Sequence, residues 1–253
     1  MIELEWSTAS IIDDYDEPDR FVYPYYGDII YAEEDNSRTK IGKFSAQLID
    51  VFNAITDGES IFDILDSYSS SMSEYYEPIF GDNSPNFSDA VELISDDCIE
   101  GFNLLIIDRI EILPKFRRKR LGLKVIRHMM TRFSTGAGII ALKAFPLQFE
   151  NTEPPIVQSP RDLPWKFENT SLIPHAPKAL PLQFENTDPI DQANEDWRNS
   201  LCLDCFVADK SQSTASLKKY YARLGFKSIP NTDFMVFPTG KKIPKNSRKK
   251  TNN

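Results

Sequence analysis

Ile110-Glu-Ile-Leu-Pro-Lys-Phe-Arg-Arg-Lys-Arg-Leu-Gly-Leu-Lys-Val-Ile126 changes character twice in a short span. The apolar, β-branched run from Leu104 to Leu113 reads as a central strand. A short loop of concentrated positive charge follows, Arg117-Arg118-Lys119-Arg120. A helix then starts near Leu121, because Leu121, Val125 and Met129, with Leu123, Ile126 and Met130, recur at helical spacing. It ends near Phe133, where Ser134-Thr135-Gly136-Ala137-Gly138 stops it. Such a strand–loop–helix junction presents unbonded backbone N–H groups at a helix N-terminus, a ready site for phosphate. The residues alone leave open a phosphorylated small ligand, a solvated basic turn, or a patch for a nucleic acid or other partner.

Working outward, Asp28 to Ala32 and Ile41 to Phe52 read as a hairpin, split by a polar turn at Asp35-Asn36-Ser37. Ile61, Phe62, Leu65 and Tyr68 have helical spacing, and Ser88 is placed to cap a helix reaching Ile94. Beyond the basic loop, Ile139 to Phe145 reads as a strand and Leu201 to Ala208 as a further one. Ser216 to Leu224 reads as a helix closed by Gly225, and Phe234 to Phe237 as a last strand. The order defines an α/β (α+β) domain rather than a helical bundle. Residues 1–26 read as an acidic lead-in, 27–240 as the domain and 241–253 as a basic tail.

Between about 150 and 190 the pattern fails. Pro146-Leu-Gln-Phe-Glu-Asn-Thr152, Pro164-Trp-Lys-Phe-Glu-Asn-Thr170 and Pro181-Leu-Gln-Phe-Glu-Asn-Thr187 share P-x-x-F-E-N-T. These read as a duplicated insertion looping out of the fold, with only the first copy structural.

The chain of 253 residues is 41% hydrophobic, enough to bury a core. Its net charge of −9 argues against a general nucleic-acid binder, since phosphate binding is driven largely by Lys and Arg. No apolar run suits a membrane span. The N-terminus has neither a basic n-region nor an apolar h-region, so the expected setting is cytoplasmic. Three Cys make no disulfide framework. Cys202-Leu-Asp-Cys205 lacks further ligands at metal spacing, and no metal is expected.

The quoted run resembles motif A of the GNAT superfamily of N-acetyltransferases. Pro114 and Phe116 precede Arg117-Arg118-Lys119-Arg120-Leu121-Gly122, which aligns with Arg/Gln-x-x-Gly-x-Gly/Ala; Arg120 stands at the middle Gly. Leu217-Lys-Lys-Tyr-Tyr-Ala-Arg-Leu-Gly-Phe226 resembles motif B, with Tyr221 four residues before Gly225; Thr214 stands where an Asn is common. The resemblance covers roughly Gly27 to Pro238.

The resemblance implies a GNAT-like mixed central sheet flanked by helices, which binds acetyl-CoA where two parallel strands splay apart. Those strands are expected at Leu104–Leu113 and Ile139–Phe145. Backbone groups of Ile110 and Ile112 are expected to hold the pantetheine arm. The N–H groups of Arg117, Arg118, Lys119, Arg120, Leu121 and Gly122 are expected to hold the pyrophosphate. Transfer to an amine needs a proton acceptor, because a primary ammonium has a pKa of about 10. Glu111 is the candidate, on the face opposite Ile110 and Ile112, with Asp108 or Arg109 as substrate contacts. Tyr221 is the candidate acid for the departing thiolate, with Tyr220 competing. The acceptor is a small-molecule or peptide amine of unspecified identity. The alternative, favoured by Arg120 and Thr214, is a non-catalytic acyl-CoA-binding or partner-binding module on the same fold.

Overall fold

The computed structural model of the chain describes residues 1–8, 17–35, 37–152, 189–205 and 208–244. Its strands are β1 (Ile2–Ser7), β2 (Val22–Ala32), β3 (Arg38–Ile49), β4 (Asn103–Ile112), β5 (Ala137–Lys143), β6 (Lys227–Ser228) and β7 (Phe234–Pro238). They form a seven-stranded sheet in the order β1-β2-β3-β4-β5-β7-β6. Neighbouring strands pair antiparallel except for β4 and β5, which are parallel. The fold is therefore a mixed α/β arrangement with a mostly antiparallel sheet.

The middle strands are apolar on both faces, so both faces must be covered. Leu104, Ile106, Ile139, Ala141 and Val236 join one core cluster, on what is here termed the front face. That face is covered by α1 (Val51–Thr56), α2 (Ile61–Tyr68), α3 (Ser70–Ser73), α4 (Tyr76–Ile79) and α5 (Asp89–Ser95). Leu105, Ile107, Ile140, Leu142 and Met235 join the other cluster, on the back face. There they meet α6 (Leu121–Arg132) and the end of α8 (Lys210–Tyr221). α6 buries Leu121, Leu123, Val125, Ile126, Met129 and Met130. Each such side chain contributes about 1.5–3 kcal/mol when fully buried, more than helix propensities differ, so packing fixes α6 against the sheet.

Several boundaries differ from the sequence expectations. The hairpin strands start earlier, and Phe52 lies in α1, because the Asp50 side chain accepts the Asn53 N–H and opens a helix there. Ser88 stands at the N-cap of α5, but its hydroxyl donates to Pro78 O instead of capping. The stretch read as an acidic lead-in contributes β1, in which Arg38 neutralises Glu3 and Glu5 from the neighbouring hairpin. Leu201 to Ala208 is not a strand over its described part. A helix, α7 (Pro189–Ser200), precedes it, and Leu203–Cys205 is a 3-10 turn. The first P-x-x-F-E-N-T copy forms a 3-10 helix at Leu147–Thr152. The copies at 164–170 and 181–187, most of the expected insertion and most of the basic tail lie outside the described residues. Among the described residues, no helix is long and apolar enough to cross a membrane.

Candidate active site

β4 and β5 pair from Asn103–Ala137 to Ile106–Ala141 and then part. β4 continues to Ile112, leaving its β5-side edge open from Ile107 onward. On the other edge, the register with β3 slips between Ser45 and Ala46, so that Asp108 is an extra, bulged residue. The Leu113 N–H donates to Ile41 O at 2.9 Å. Antiparallel pairs alternate between bonded and non-bonded positions, so Glu111 and Arg109 are bonded to β3. Ile110 and Ile112 then direct their N–H and C=O groups toward the open edge. The bulge also resets side-chain parity. Ile110 and Ile112 stay with the back cluster, while Arg109 and Glu111 turn to the front.

The basic loop follows. Arg118 (φ 63°) and Arg120 (φ 59°) are both left-handed, and Arg120 is the N-cap residue of α6 without a side-chain cap bond. Left-handed Arg120 followed by the right-handed start of α6 at Leu121 turns successive N–H groups toward one side, the geometry of an anion nest. Among the described residues, the N–H groups of Arg118, Lys119, Arg120, Leu121 and Gly122 meet no acceptor. The Leu123 N–H donates to the Tyr220 hydroxyl at 3.1 Å. A Cβ on Gly122 would lie 3.1 Å from the same oxygen, so this helix start sits close under Tyr220. Arg117 departs from the expectation. Its N–H donates to Pro114 O, and its side chain braces the loop by donating from Nε to Ile112 O at 2.7 Å and from Nη2 to Leu201 O at 2.6 Å. Burial lowers its pKa, with Cys202 and Cys205 acting the other way. Arg117 and the Ile112 carbonyl are therefore already engaged, and the open donors begin at Arg118.

On the front face an open cleft of about 1140 Å³ is lined by Tyr26, Lys43, Asp108, Glu111 and Trp197, among others. Glu111 is only 6% exposed. One of its oxygens accepts from Arg109 Nε at 2.7 Å and the other from Trp197 Nε1 at 2.5 Å. The remaining Arg109 nitrogens grip Glu150 of the first repeat copy, through Nη1–Oε1 at 2.8 Å and a second bond from Nη2 to Oε2. Burial opposes the Arg109 charge, but Glu150 and Glu111 outweigh it and raise its pKa. The Lys40 and Lys43 ammonium groups also lie 5.2 and 5.0 Å from the centroid of the Trp197 ring.

Asp108 is held differently. Ser45 Oγ donates to its Oδ2 at 2.9 Å, and no protein donor meets Oδ1 among the described residues. Its side chain is open to solvent through the cleft, yet crowding by the walls pushes its carboxyl above the usual carboxylate range. The Ser45 bond and the Arg109 charge oppose that shift. Gln47, on the same face and 2% exposed, leaves Oε1 without a partner among the described residues. The Tyr26 and Tyr68 hydroxyls meet at 2.5 Å, and burial raises the pKa of Tyr68 and Tyr75, each of which also feels the Asp108 charge.

Tyr221 approaches from the back. Burial, and then Tyr220, push its phenol up to about 12. No hydrogen-bond partner meets its hydroxyl among the described residues. Tyr75, in the front cluster, feels its charge, so Tyr221 lies near the gap between the faces. Thr214 is buried in α8. Among the described residues no group of three metal-ligating side chains forms.

The structure thus brings Ile110, Ile112, Gly122 and the basic loop to one open edge, with Glu111 on the opposite face. Sequence reasoning missed Trp197, Glu150 and Gln47, and it did not see the bulge at Asp108. A signal for the bulge existed: Ile107 and Ile110 share a face at odd spacing, which a regular strand does not allow. The chain matches no family model, and no curated protein or solved structure matches it.

Proposed function

We propose that the chain is an N-acetyltransferase of the GNAT type, transferring acetyl from acetyl-CoA directly to an amine. One observation carries the reading: among the described residues, the one parallel strand pair parts beside a helix start whose N–H groups, Arg118 to Gly122, meet no acceptor. The nest suits a pyrophosphate, with the exposed Arg118, Lys119 and Arg120 adding charge. The open edge at Ile110 and the Ile112 N–H suits an extended amide chain such as pantetheine, by the pairing that adds a strand to a sheet. An N–H on that edge would polarise the thioester carbonyl.

The amine approaches from the front cleft as an ammonium and must lose a proton before attack. Asp108 has an open oxygen and a raised pKa, so it takes that proton in this reading. Glu111, bonded at both oxygens, orients Arg109 and Trp197. A phenol at about 12 stays protonated at neutral pH. Passing its proton fully to a thiolate, whose conjugate acid has a pKa of about 8.5, is uphill. Tyr221 therefore serves as a hydrogen-bond donor to the departing sulfur, and the thiol's proton comes from the attacking nitrogen.

The engaged state of Glu111 also favours a second reading, a non-catalytic acyl-CoA-binding module. Calorimetric titration of acetyl-CoA into the wild type and Gly122→Trp tests the shared part. Saturable binding lost in the variant is expected, and no binding to folded wild type would end both readings. Release of CoA thiol with a panel of amines separates them, and release lost in Asp108→Asn supports the transferase.

A further inference from the structure

Cys202 and Cys205 belong to the turn that follows α7, outside the cleft and the basic loop. The Cys205 N–H donates to the Cys202 carbonyl at 3.4 Å. That closure brings the ends of a four-residue turn within about 7 Å. Disulfides span Cα separations of about 4.4–6.8 Å, so the turn holds the pair at bridging range. Both side chains are exposed and neither is in a disulfide. Cys202 is left-handed (φ 47°), a conformation rare for a side chain of this kind. The guanidinium of Arg117 is anchored next door, on Leu201 O at 2.6 Å. It stands close enough to both thiols for their charges to interact. Two exposed thiols held at bridging range are open to exchange with a small disulfide.

We propose that Cys202 and Cys205 form a dithiol site that closes to an internal disulfide by exchange with an anionic low-molecular-weight disulfide, which the Arg117 guanidinium attracts. One thiolate attacks the small disulfide, forming a mixed disulfide and releasing one small thiolate. The second thiolate attacks the protein sulfur of that bond, forming Cys202–Cys205 and releasing the other. Two protein thiols are oxidised, one small disulfide is reduced, and the protons leave on the small thiols. The site does not depend on acetyl transfer. Its anchor on Leu201 and Ile112 ties it to the start of the basic loop.

The test treats the full chain with oxidised glutathione and follows it by intact mass and peptide mapping. Wild type is expected to lose both thiols, giving a 202–205 peptide lighter by two hydrogens with no glutathione retained. Cys205→Ser should stop at a glutathione adduct on Cys202. Arg117→Gln should slow closure on the order of tenfold, and added salt should slow the wild type. Glutathione retained on Cys202 or Cys205 of the wild type, or both of these thiols left unreacted, would overturn the dithiol site. A rate indifferent to both the Arg117 change and salt would overturn the guanidinium's part in it.

Discussion

Asp108 shares no ion pair with Arg109, whose donors are taken by Glu150 and Glu111, and it is crowded by the cleft walls. Its folded carboxyl therefore keeps a proton to higher pH than the unfolded one, with its ordinary pKa of 3.8. Between those two values the native state binds more protons, so stability falls as pH rises through that window and the penalty is complete above it. Asp108→Asn, which keeps an oxygen for Ser45, should melt higher than wild type at neutral pH. The gain should vanish below the ordinary carboxylate pKa, as paired thermal melts across pH would show. Arg120 makes the opposite kind of demand. A left-handed non-glycine residue costs about 1–2 kcal/mol, and glycine returns most of that to unfolded-chain entropy. Arg120→Gly should change unfolding free energy by less than about 1 kcal/mol, whereas Arg120→Val should lose about 1–2 kcal/mol in denaturant titrations. Tyr221→Phe removes a hydroxyl that meets no protein partner among the described residues. It should leave the melting temperature nearly unchanged while lowering kcat on the order of tenfold to a hundredfold.

From Ala193 to Ser200 only Trp197 is half-buried, and the rest are exposed. The holds on α7 include the indole bond to Glu111, the Lys40 and Lys43 contacts and the Arg198–Glu150 pair at 3.7 Å. Trp197→Phe strips a donor from a buried carboxylate oxygen, which costs about 1–3 kcal/mol. Amide exchange across residues 189–200 should quicken in that variant while α6, packed through six apolar side chains, stays protected. A rise shared equally by α6 would show that α7 is part of the global unit. The same contrast explains what the sequence disclosed. α6 and β4 were legible because their apolar spacing and their burial coincide. β1 alternates Ile2, Leu4 and Trp6 with acids, but its charge masked an edge strand whose acids pair with Arg38 of β3. α7 carries no apolar stripe, and among its described contacts are an indole and charges that composition does not reveal. The Asp108 bulge is settled by pairing with β3, a relation between distant segments.

At the scale of the molecule, the repeat decides how much of the chain the fold needs. Ala176-Pro-Lys-Ala-Leu-Pro-Leu-Gln-Phe-Glu-Asn-Thr187 restates Ala141-Leu-Lys-Ala-Phe-Pro-Leu-Gln-Phe-Glu-Asn-Thr152, so the copy spans the end of β5 as well as the 3-10 helix after it. The two are not interchangeable in the sheet. Leu142 is buried and faces Met235 of β7, whereas Pro177 in the copy lacks a ladder N–H and is ill-suited to a central strand. The first copy supplies what the site uses, since its Glu150 holds Arg109. Thr187 is followed by Asp188-Pro189 much as Thr152 is followed by Glu153-Pro154. Deleting residues 153–187 therefore rejoins Thr152 to Asp188 in a spelling the chain already contains. Each halving of a connection returns about 0.6 kcal/mol of closure entropy, so the shorter chain starts with an advantage. The deletion should melt in one cooperative transition at a temperature no lower than wild type, and titrate acetyl-CoA within about twofold of it, on the scale where tenfold is about 1.4 kcal/mol. A lost transition would place the removed segment in the core. A kept transition with lost binding would place it at the cofactor edge, where the parted strands would then need it to complete the site.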